Sequence, residues 1–334
     1  MPVIDTHTHY LPPAWVSPEP APGAPGRYAV RISSDDGTVL LASHGDSAGF
    51  ELDQLIDLPR RLRDMAGQGV DRQVLSVPPP FGFVYELEPG VALAVCRAFN
   101  DAFAEARAHP SGAFLALATV PLQDPAAAVG ELDRAIRERG LDGVSIGTHA
   151  GSTELDDPGL RPFFARIQDL AVPLFIHSTN AIGRDRLDRY HLRNVIGNPT
   201  EDAIAAAGLI FGGVLEDNPS LEVYLAHGGG SFPYLHGRWS RGWQVRPEAR
   251  IRLPRPPGDY LTRLRFDSLT HDGPALRYLV ATAGAGRVVL GSDYPYDMAD
   301  PDPAGRVRTL TDLSADDRDR ILGGNASRLF GLGG

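Results

Sequence analysis

Short, continuous apolar segments recur along the chain, with enough residues between neighbouring segments to form a helix. Most of them do not alternate with polar residues, which is typical of strands that are covered on both faces. The eight segments are Val3–His9, Val70–Pro78, Phe114–Leu122, Leu141–His149, Val172–Thr179, Leu221–Gly229, Leu264–Leu269 and Arg287–Pro295. The pattern therefore predicts eight buried strands.

Segments with helical spacing of apolar residues separate these strands. Pro125–Arg139 begins after Asp124, which is suited to cap a helix N-terminus, and stops at Gly140. The others are Gly90–His109, Pro158–Leu170, Thr200–Asn218, Gly273–Ala283 and Ser314–Leu329. A repeated strand–helix unit predicts a (β/α)8 TIM barrel, an α/β fold, formed by residues 1–334 as a single domain. The competing fold, a doubly wound open sheet, needs a glycine-rich phosphate loop after the first strand, and THTHYLPP is not one.

One span interrupts the strand–helix rhythm directly after the first strand. Residues 11–58 begin with a proline-rich stretch and continue with two strand-like runs on either side of Asp36-Gly37, a turn signal. We predict a small β-hairpin insertion there, on the face where barrel enzymes build their sites. A second stretch, Arg238–Tyr260, is rich in arginine and proline and is predicted to be irregular.

The charge balance and composition exclude several functional classes. Asp and Glu number 42 against 32 basic residues, a formal net charge of −10, so neither nucleic acid nor an anionic membrane surface is an expected partner. No apolar run approaches the roughly 20 residues of a membrane span, and MPVIDTHTH lacks the features of a signal peptide. Because Cys96 is the single cysteine, no internal disulfide can form, and a cytoplasmic location is expected.

The chain contains no lysine, since all 32 basic residues are arginines. This excludes a Schiff-base lysine, a phosphate-loop lysine and a carboxylated lysine that bridges two metal ions. Chemistry that depends on an amine side chain is therefore excluded.

Four histidines and one aspartate stand at the carboxyl ends of predicted strands. The first strand ends in His7-Thr8-His9, and a spacing of two places both imidazoles on the same side of a strand. His177, His227 and Asp293 end the fifth, sixth and eighth strands. Because the carboxyl ends of barrel strands meet at one mouth, we expect these side chains to converge there. Imidazole nitrogens and a carboxylate oxygen suit Zn²⁺, Mn²⁺ or Fe²⁺.

Several motifs of this chain resemble those of one enzyme family. IDTHTHY, LFIHS, LAHGGGSFP and LGSDYPY are similar to motifs of the amidohydrolase superfamily, specifically its amidohydrolase-2 branch. Within that branch the sequence looks most like the aminocarboxymuconate-semialdehyde decarboxylases, and the likeness runs from Val3 to about Leu332.

The resemblance implies a role for each residue of the strand-end cluster. His7, His9, His177 and Asp293 would hold one divalent metal ion, most often zinc, with a water completing its shell. His227 would lie beside that water without binding the metal and would serve as the acid–base residue, with Asp293 as the second catalytic group. A mononuclear site follows, because the GVSIGTH segment offers no bridging lysine or glutamate.

The resemblance also implies the reaction. A metal-dependent decarboxylase that acts on a small unsaturated or aromatic carboxylic acid is the leading hypothesis. A hydrolase or hydratase that uses the same water as a nucleophile on a related carboxylate is the alternative. A binding protein that has lost catalysis is a third hypothesis, and the presence of all five cluster residues argues against it.

Four further residues are candidates for substrate binding. In the resembled family an arginine donated across a homodimer interface clamps a substrate carboxylate, and Arg238 matches it. His44 and His191 stand where that family has a second arginine and a tryptophan, and Tyr296 matches an aromatic residue after the metal-binding aspartate. These two departures favour a small carboxylate that is aromatic or carries a single acid group, and the resemblance implies a homodimer.

Overall fold

The computed structural model describes residues 1–17, 28–34, 37–44, 51–79, 83–179, 182–183 and 186–333. Its strands are β1 (Ile4–His9), β2 (Val16–Ser17), β3 (Tyr28–Ser34), β4 (Gly37–His44), β5 (Arg72–Ser76), β6 (Phe114–Ala118), β7 (Gly143–Gly147), β8 (His149–Ala150), β9 (Thr153–Glu154), β10 (Leu174–His177), β11 (Val223–Leu225), β12 (Leu264–Asp267) and β13 (Val288–Val289). Its helices are α1 (Leu52–Ile56), α2 (Leu58–Gln68), α3 (Pro89–Arg107), α4 (Pro125–Arg137), α5 (Arg161–Leu170), α6 (Asn198–Phe211), α7 (Val214–Asp217), α8 (Phe232–Val245), α9 (Gly273–Ala283), α10 (Pro303–Arg308), α11 (Ala315–Asp319) and α12 (Asn325–Leu329). No helix in these ranges combines the length and the apolar character needed to cross a membrane.

Eight strands form one sheet in the order β1–β5–β6–β7–β10–β11–β12–β13, and each neighbouring pair is parallel. The two ends of this sheet meet, because Thr8 of β1 forms a parallel bridge with Tyr294 beyond β13. The amide of Thr6 also donates to the carbonyl of Leu290 at 2.8 Å. The predicted (β/α)8 TIM barrel is therefore confirmed, and all eight predicted strands contribute to it.

All six predicted helical segments contain helices, and two of them are divided. The segment predicted as Thr200–Asn218 forms α6 and α7, which are separated where Gly213 adopts a left-handed φ of 78°. The segment predicted as Ser314–Leu329 forms α11 and α12, which are joined by a π-helical turn at Arg320–Gly324. In both cases the apolar periodicity located the helical region but did not reveal the local change in backbone winding.

The prediction of an irregular stretch at Arg238–Tyr260 was wrong for its first eight residues, which belong to α8. Aromatic side chains at helical spacing decide this segment. The rings of Phe232 and Trp239 stack with centroids 4.5 Å apart, and Trp243 packs against the same core and donates to the carbonyl of Leu253 at 2.9 Å. Burial of these rings stabilises the helix although arginines cover its outer face.

The predicted hairpin insertion is present as an antiparallel sheet in the order β2–β3–β4. Its predicted turn lies mostly outside the described residues, since residues 35 and 36 are not among them. The last part of the span 11–58 is helical, because α1 and the first residue of α2 fall within it. Trp15 anchors the start of the insertion, with its ring edge-on to Phe99 of α3 at 4.7 Å.

An apolar layer fills the barrel interior below the strand ends. Ile4, Val74 and Val289 are fully buried in it, and the rings of Phe175 and Tyr224 stack 4.5 Å apart. This apolar layer lies directly beneath the strand-end cluster, because the Phe175 ring packs edge-on against the His7 imidazole with ring centroids 5.0 Å apart.

Candidate metal centre and active site

The four histidines of the strand-end cluster converge on the carboxylate of its fifth residue, Asp293. Oδ1 of Asp293 lies 2.9 Å from Nε2 of His9, 3.2 Å from Nε2 of His7 and 4.0 Å from Nε2 of His177. Oδ2 of Asp293 lies 3.9 Å from Nε2 of His227. All four imidazoles therefore direct the same ring nitrogen at the barrel mouth.

Backbone carbonyls fix two of these imidazoles. Nδ1 of His9 donates to the carbonyl of Val77 at 2.9 Å, and Nδ1 of His177 donates to the carbonyl of Ser178 at 2.8 Å. A carbonyl only accepts, so each Nδ1 carries the proton and each neutral imidazole keeps a lone pair on Nε2. Histidines that bind metal ions are usually held in this way.

Asp267, the last residue of β12, holds the third imidazole. Its Oδ2 accepts from Nδ1 of His7 at 2.7 Å and from the amide of His227 at 3.0 Å. Its Oδ1 accepts from the amide of Gly228 at 2.7 Å. One fully buried carboxylate therefore links β1 to the turn that follows β11.

Asp202 on α6 holds the fourth imidazole, and the sequence analysis did not identify it. Its Oδ2 lies 2.8 Å from Nδ1 of His227, and its side chain is fully buried. Burial raises the pKa of Asp202 to about 6 although His227 opposes this shift. Burial alone lowers the pKa of the His227 imidazole, but the Asp202 charge and the nearby Asp293 outweigh it and raise this pKa well above its usual range.

The neighbouring helix residue, Glu201, ties α6 to two loops at the barrel mouth. Its Oε1 accepts from the amide of Ile182 at 2.7 Å, and its Oε2 accepts from the hydroxyl of Thr148 at 3.2 Å. A buried Glu-Asp pair within an otherwise apolar helix was the signal that could have marked both residues.

The residues present fit a divalent cation. Nε2 of His7 and Nε2 of His177 are buried and have no hydrogen-bond partner among the described residues. The lone pair of His9 also faces a carboxylate oxygen, and two acceptors at hydrogen-bond distance repel each other unless a cation or proton lies with them. The set of ligand atoms that lie within 4.8 Å of one another comprises His7, His177, His227 and Asp293. This set contains His227 where the sequence analysis expected His9.

The backbone is strained where two of these side chains enter the mouth. His227 and Asp293 adopt left-handed φ values of 51° and 66°, a conformation that costs non-glycine residues about 1–2 kcal/mol. The glycines after His227 permit this turn, because a Cβ on Gly230 would lie 2.0 Å from the carbonyl oxygen of Pro199. The GGG of the LAHGGGSFP motif thus allows the chain to pass α6 closely.

The predicted substrate-binding residues are not all brought to this mouth. The ring of Tyr296 lies 5.1 Å from the His9 ring, and its hydroxyl donates to the carbonyl of Pro79 at 2.5 Å. Arg238 on α8 and His191 are exposed, and neither lines the cavity described below. His44 ends β4, and its side chain lies outside the described part of the chain.

A cavity of about 510 Å³ opens above His227 and Asp293. Its described wall contains Asn194, Val195, Asn198, Pro199, Gly228, Gly230, Pro233, Tyr234, Leu269, Thr270, His271, Ala275, Tyr278, Leu279 and Met298. Most of these residues are apolar or aromatic, and this described wall includes no arginine. Its size suits a small organic molecule whose polar end lies at the cluster.

The fold and the cluster together define a hydrolase-type barrel with a metal centre at its mouth, and the sequence comparison specifies the family. The amidohydrolase family model, Amidohydro_2, matches residues 4–332. The chain belongs to this amidohydrolase family.

Several proteins to which the chain is similar are decarboxylases. The chain is 35% identical over 334 residues to the 2-amino-3-carboxymuconate-6-semialdehyde decarboxylase of Dictyostelium discoideum, covering 98% of this chain and 91% of the relative. It is 31% identical to the gamma-resorcylate decarboxylase of Rhizobium sp. (strain MTP-10005), covering 86% and 94%. A crystal structure of the dihydroxybenzoic acid decarboxylase of Polaromonas sp. JS666 with bound manganese and the inhibitor 2-nitroresorcinol matches with a TM-score of 0.77. That match has 26% identity and covers 84% of this chain and 88% of the other.

Proposed function

We propose that this protein is a metal-dependent decarboxylase of a small aromatic or unsaturated carboxylic acid. The observation that carries the proposal is the convergence of four imidazoles on Asp293, with His227 backed by the buried carboxylate of Asp202. The decarboxylase names of relatives on both the sequence and the structure side support the same reaction.

We assign the metal to His7, His9, His177 and Asp293. The buried, unpartnered Nε2 atoms of His7 and His177 support this assignment. We propose one divalent ion and favour zinc, because three imidazoles and one carboxylate suit it, and manganese is the other candidate. When bound, the ion would polarise oxygen atoms of the substrate and lower the pKa of a bound water.

His227 supplies the proton in this mechanism. Asp202 holds Nδ1, so the charged imidazole presents its second proton on Nε2 to the cavity. That proton passes to the ring or chain carbon that bears the carboxylate. The bond between this carbon and the carboxylate then breaks, CO₂ leaves, and the bonding electrons remain on the protonated carbon framework. His227 recovers a proton from solvent before the next cycle.

The cavity wall indicates the kind of acid. Within the described wall, this chain itself offers no arginine to a second carboxylate of the substrate, whereas an aromatic ring would contact Leu269, Leu279 and Met298. We therefore propose an aromatic acid with a single carboxylate. Tyr296, beside His9, is proposed to contact its ring. His44 and His191 remain candidates for substrate binding.

We propose a homodimer in which Arg238 reaches the partner's mouth. Its exposed position on α8, away from the cavity of its own chain, supports this arrangement. We also propose that residues 1–334 act as one unit with residues 11–58 as an insertion. A cytoplasmic location is proposed on the ground of the single cysteine, Cys96, which is buried and free.

Release of CO₂ from aromatic acids tests the proposed reaction. Protein with measured zinc and manganese content is incubated with 2,6-dihydroxybenzoate, 6-methylsalicylate and a muconate-type dicarboxylate. We expect CO₂ from at least one aromatic monocarboxylate and a slower reaction of the dicarboxylate. The alternative reaction, hydrolysis or hydration, would instead place solvent ¹⁸O in the product without CO₂, and that outcome would overturn the proposal.

Asparagine in place of Asp202 is expected to lower kcat by about 10²-fold or more. The amide fills the same space but removes the charge that stabilises the protonated His227 ring. The metal content should not change, because Asp202 lies on the far side of His227 from Asp293. Steady-state kinetics and metal analysis check this, and an unchanged kcat would contradict the role of Asp202.

A further inference from the structure

Arg61 on α2 is a fully buried charge that the proposed mechanism does not use. No carboxylate within the described residues lies at ion-pair distance from its guanidinium, unlike that of Arg60, which pairs with Glu51, Asp53 and Asp64. Burial of an unpaired charge is expensive. The guanidinium must therefore make other contacts that stabilise it there.

Those contacts reach four different segments. Nη2 of Arg61 donates to the carbonyl of His9 and to that of Gln54, the latter at 3.3 Å, and Nη1 donates to Oε1 of Gln73 at 3.0 Å. The guanidinium carbon lies 4.7 Å from the centroid of the Tyr294 ring, within the range of a cation–π contact.

These contacts surround the junction at which the barrel closes. The amide of His9 donates to the carbonyl of Tyr294 at 2.8 Å, and Thr8 bridges to Tyr294 as well. The side chains of His9 and Asp293 leave the backbone at this junction and meet at 2.9 Å. A group that binds the His9 carbonyl and the Tyr294 ring together fixes the separation of the two strand ends.

We propose that Arg61 is a positioning residue of the metal centre, which sets the placement of His9 relative to Asp293. The inference rests on the proposed metal assignment. Arginine suits this role because its planar fork donates in several fixed directions while its face stacks on an aromatic ring. A lysine would keep the charge but lose both the fork and the stacking plane.

The test measures metal binding separately from folding and from turnover. Arg61→Met preserves length and apolar packing, and Arg63→Met, an exposed arginine on the same helix, is the matched control. Circular dichroism and thermal unfolding of metal-free protein establish folding. The electron paramagnetic resonance signal of free Mn²⁺ then gives the dissociation constant. We expect this constant to rise by about tenfold or more in folded Arg61→Met and to stay unchanged in Arg63→Met.

Each outcome decides the inference. A folded Arg61→Met protein with wild-type Mn²⁺ affinity overturns the role of Arg61 and leaves the proposed decarboxylase intact. If Arg61→Met does not fold, Arg61→Lys is measured in the same way, and weakened Mn²⁺ binding in the folded lysine variant supports the role. Wild-type affinity in the lysine variant, or its failure to fold, indicates a purely structural residue and overturns the inference. A wild-type protein that binds neither Mn²⁺ nor, in a parallel titration, Zn²⁺ overturns the metal assignment as well.

Discussion

Replacing His227 with glutamine is expected to lower kcat by about 10²- to 10⁴-fold, the usual contribution of a general acid–base group, while the protein keeps its metal. Glutamine can occupy the space beside Asp293 but cannot deliver a proton from the position of Nε2. The glutamine amide also cannot carry the positive charge that Asp202 stabilises on the imidazole, whose Nδ1 lies 2.8 Å from Oδ2 of Asp202. Turnover measured as CO₂ release, together with metal analysis of the same preparation, checks both parts of the expectation.

The companion variant His9→Gln separates the two possible ligand sets. The ligand atoms of His7, His177, His227 and Asp293 lie within 4.8 Å of one another, so His227 is geometrically able to replace His9 as a ligand. We expect metal loss in His9→Gln and metal retention in His227→Gln. The reverse result would show that His227 binds the ion. His109→Gln, at a partly buried histidine just after α3 that is not part of the strand-end cluster, is the control for the substitution itself.

Replacing Asp293 with asparagine is expected to abolish both metal binding and turnover. The carboxylate is the one negatively charged group among the proposed ligands, and the other three would bind the ion as neutral imidazoles. Its two oxygens face all four Nε2 atoms at distances from 2.9 to 4.0 Å. An uncharged amide is a much weaker ligand, so we expect metal content below about a tenth of the wild-type value.

Metal analysis after gel filtration measures this loss, and addition of excess Mn²⁺ to the assay shows whether activity returns. Asp169→Asn on α5 is a suitable control because its carboxylate is 64% exposed and remote from the barrel mouth. An Asp293→Asn protein that retains stoichiometric metal would remove Asp293 from the ligand set and require a different centre.

The sequence allowed the barrel and the strand-end cluster to be predicted for one physical reason. Parallel strands covered on both faces are continuously apolar, so a polar residue at the end of such a run is conspicuous. His177, His227 and Asp293 each follow a run of that kind, and barrel geometry places such ends together. A different signal located the hairpin insertion, namely two strand-like runs on either side of the turn residues Asp36-Gly37.

The partner of the His227 imidazole could not be found in this way. Asp202 lies within helix α6 rather than at the end of a strand, and its carboxylate is paired with a histidine from a different element. Such pairing depends on three-dimensional packing and leaves no periodic pattern. The helix α8 was missed for the same reason. The arginine-rich and proline-rich composition of Arg238–Tyr260 favours an irregular segment, but burial of Trp239 and Trp243 against neighbouring elements stabilises the helix.

The groups that orient the imidazoles and the groups that enclose the ligand come from different parts of the chain. Val77, Ser178 and Asp267 hold their histidines close to the strand ends. Val195, in the π-helical turn before α6, and Met298, after β13, line the cavity, and within the described residues neither side chain makes a hydrogen bond that orients one of these imidazoles. Substituting other residues for Val195 and Met298 is therefore a practical route for engineering this barrel toward new aromatic acids while its reactive centre stays intact.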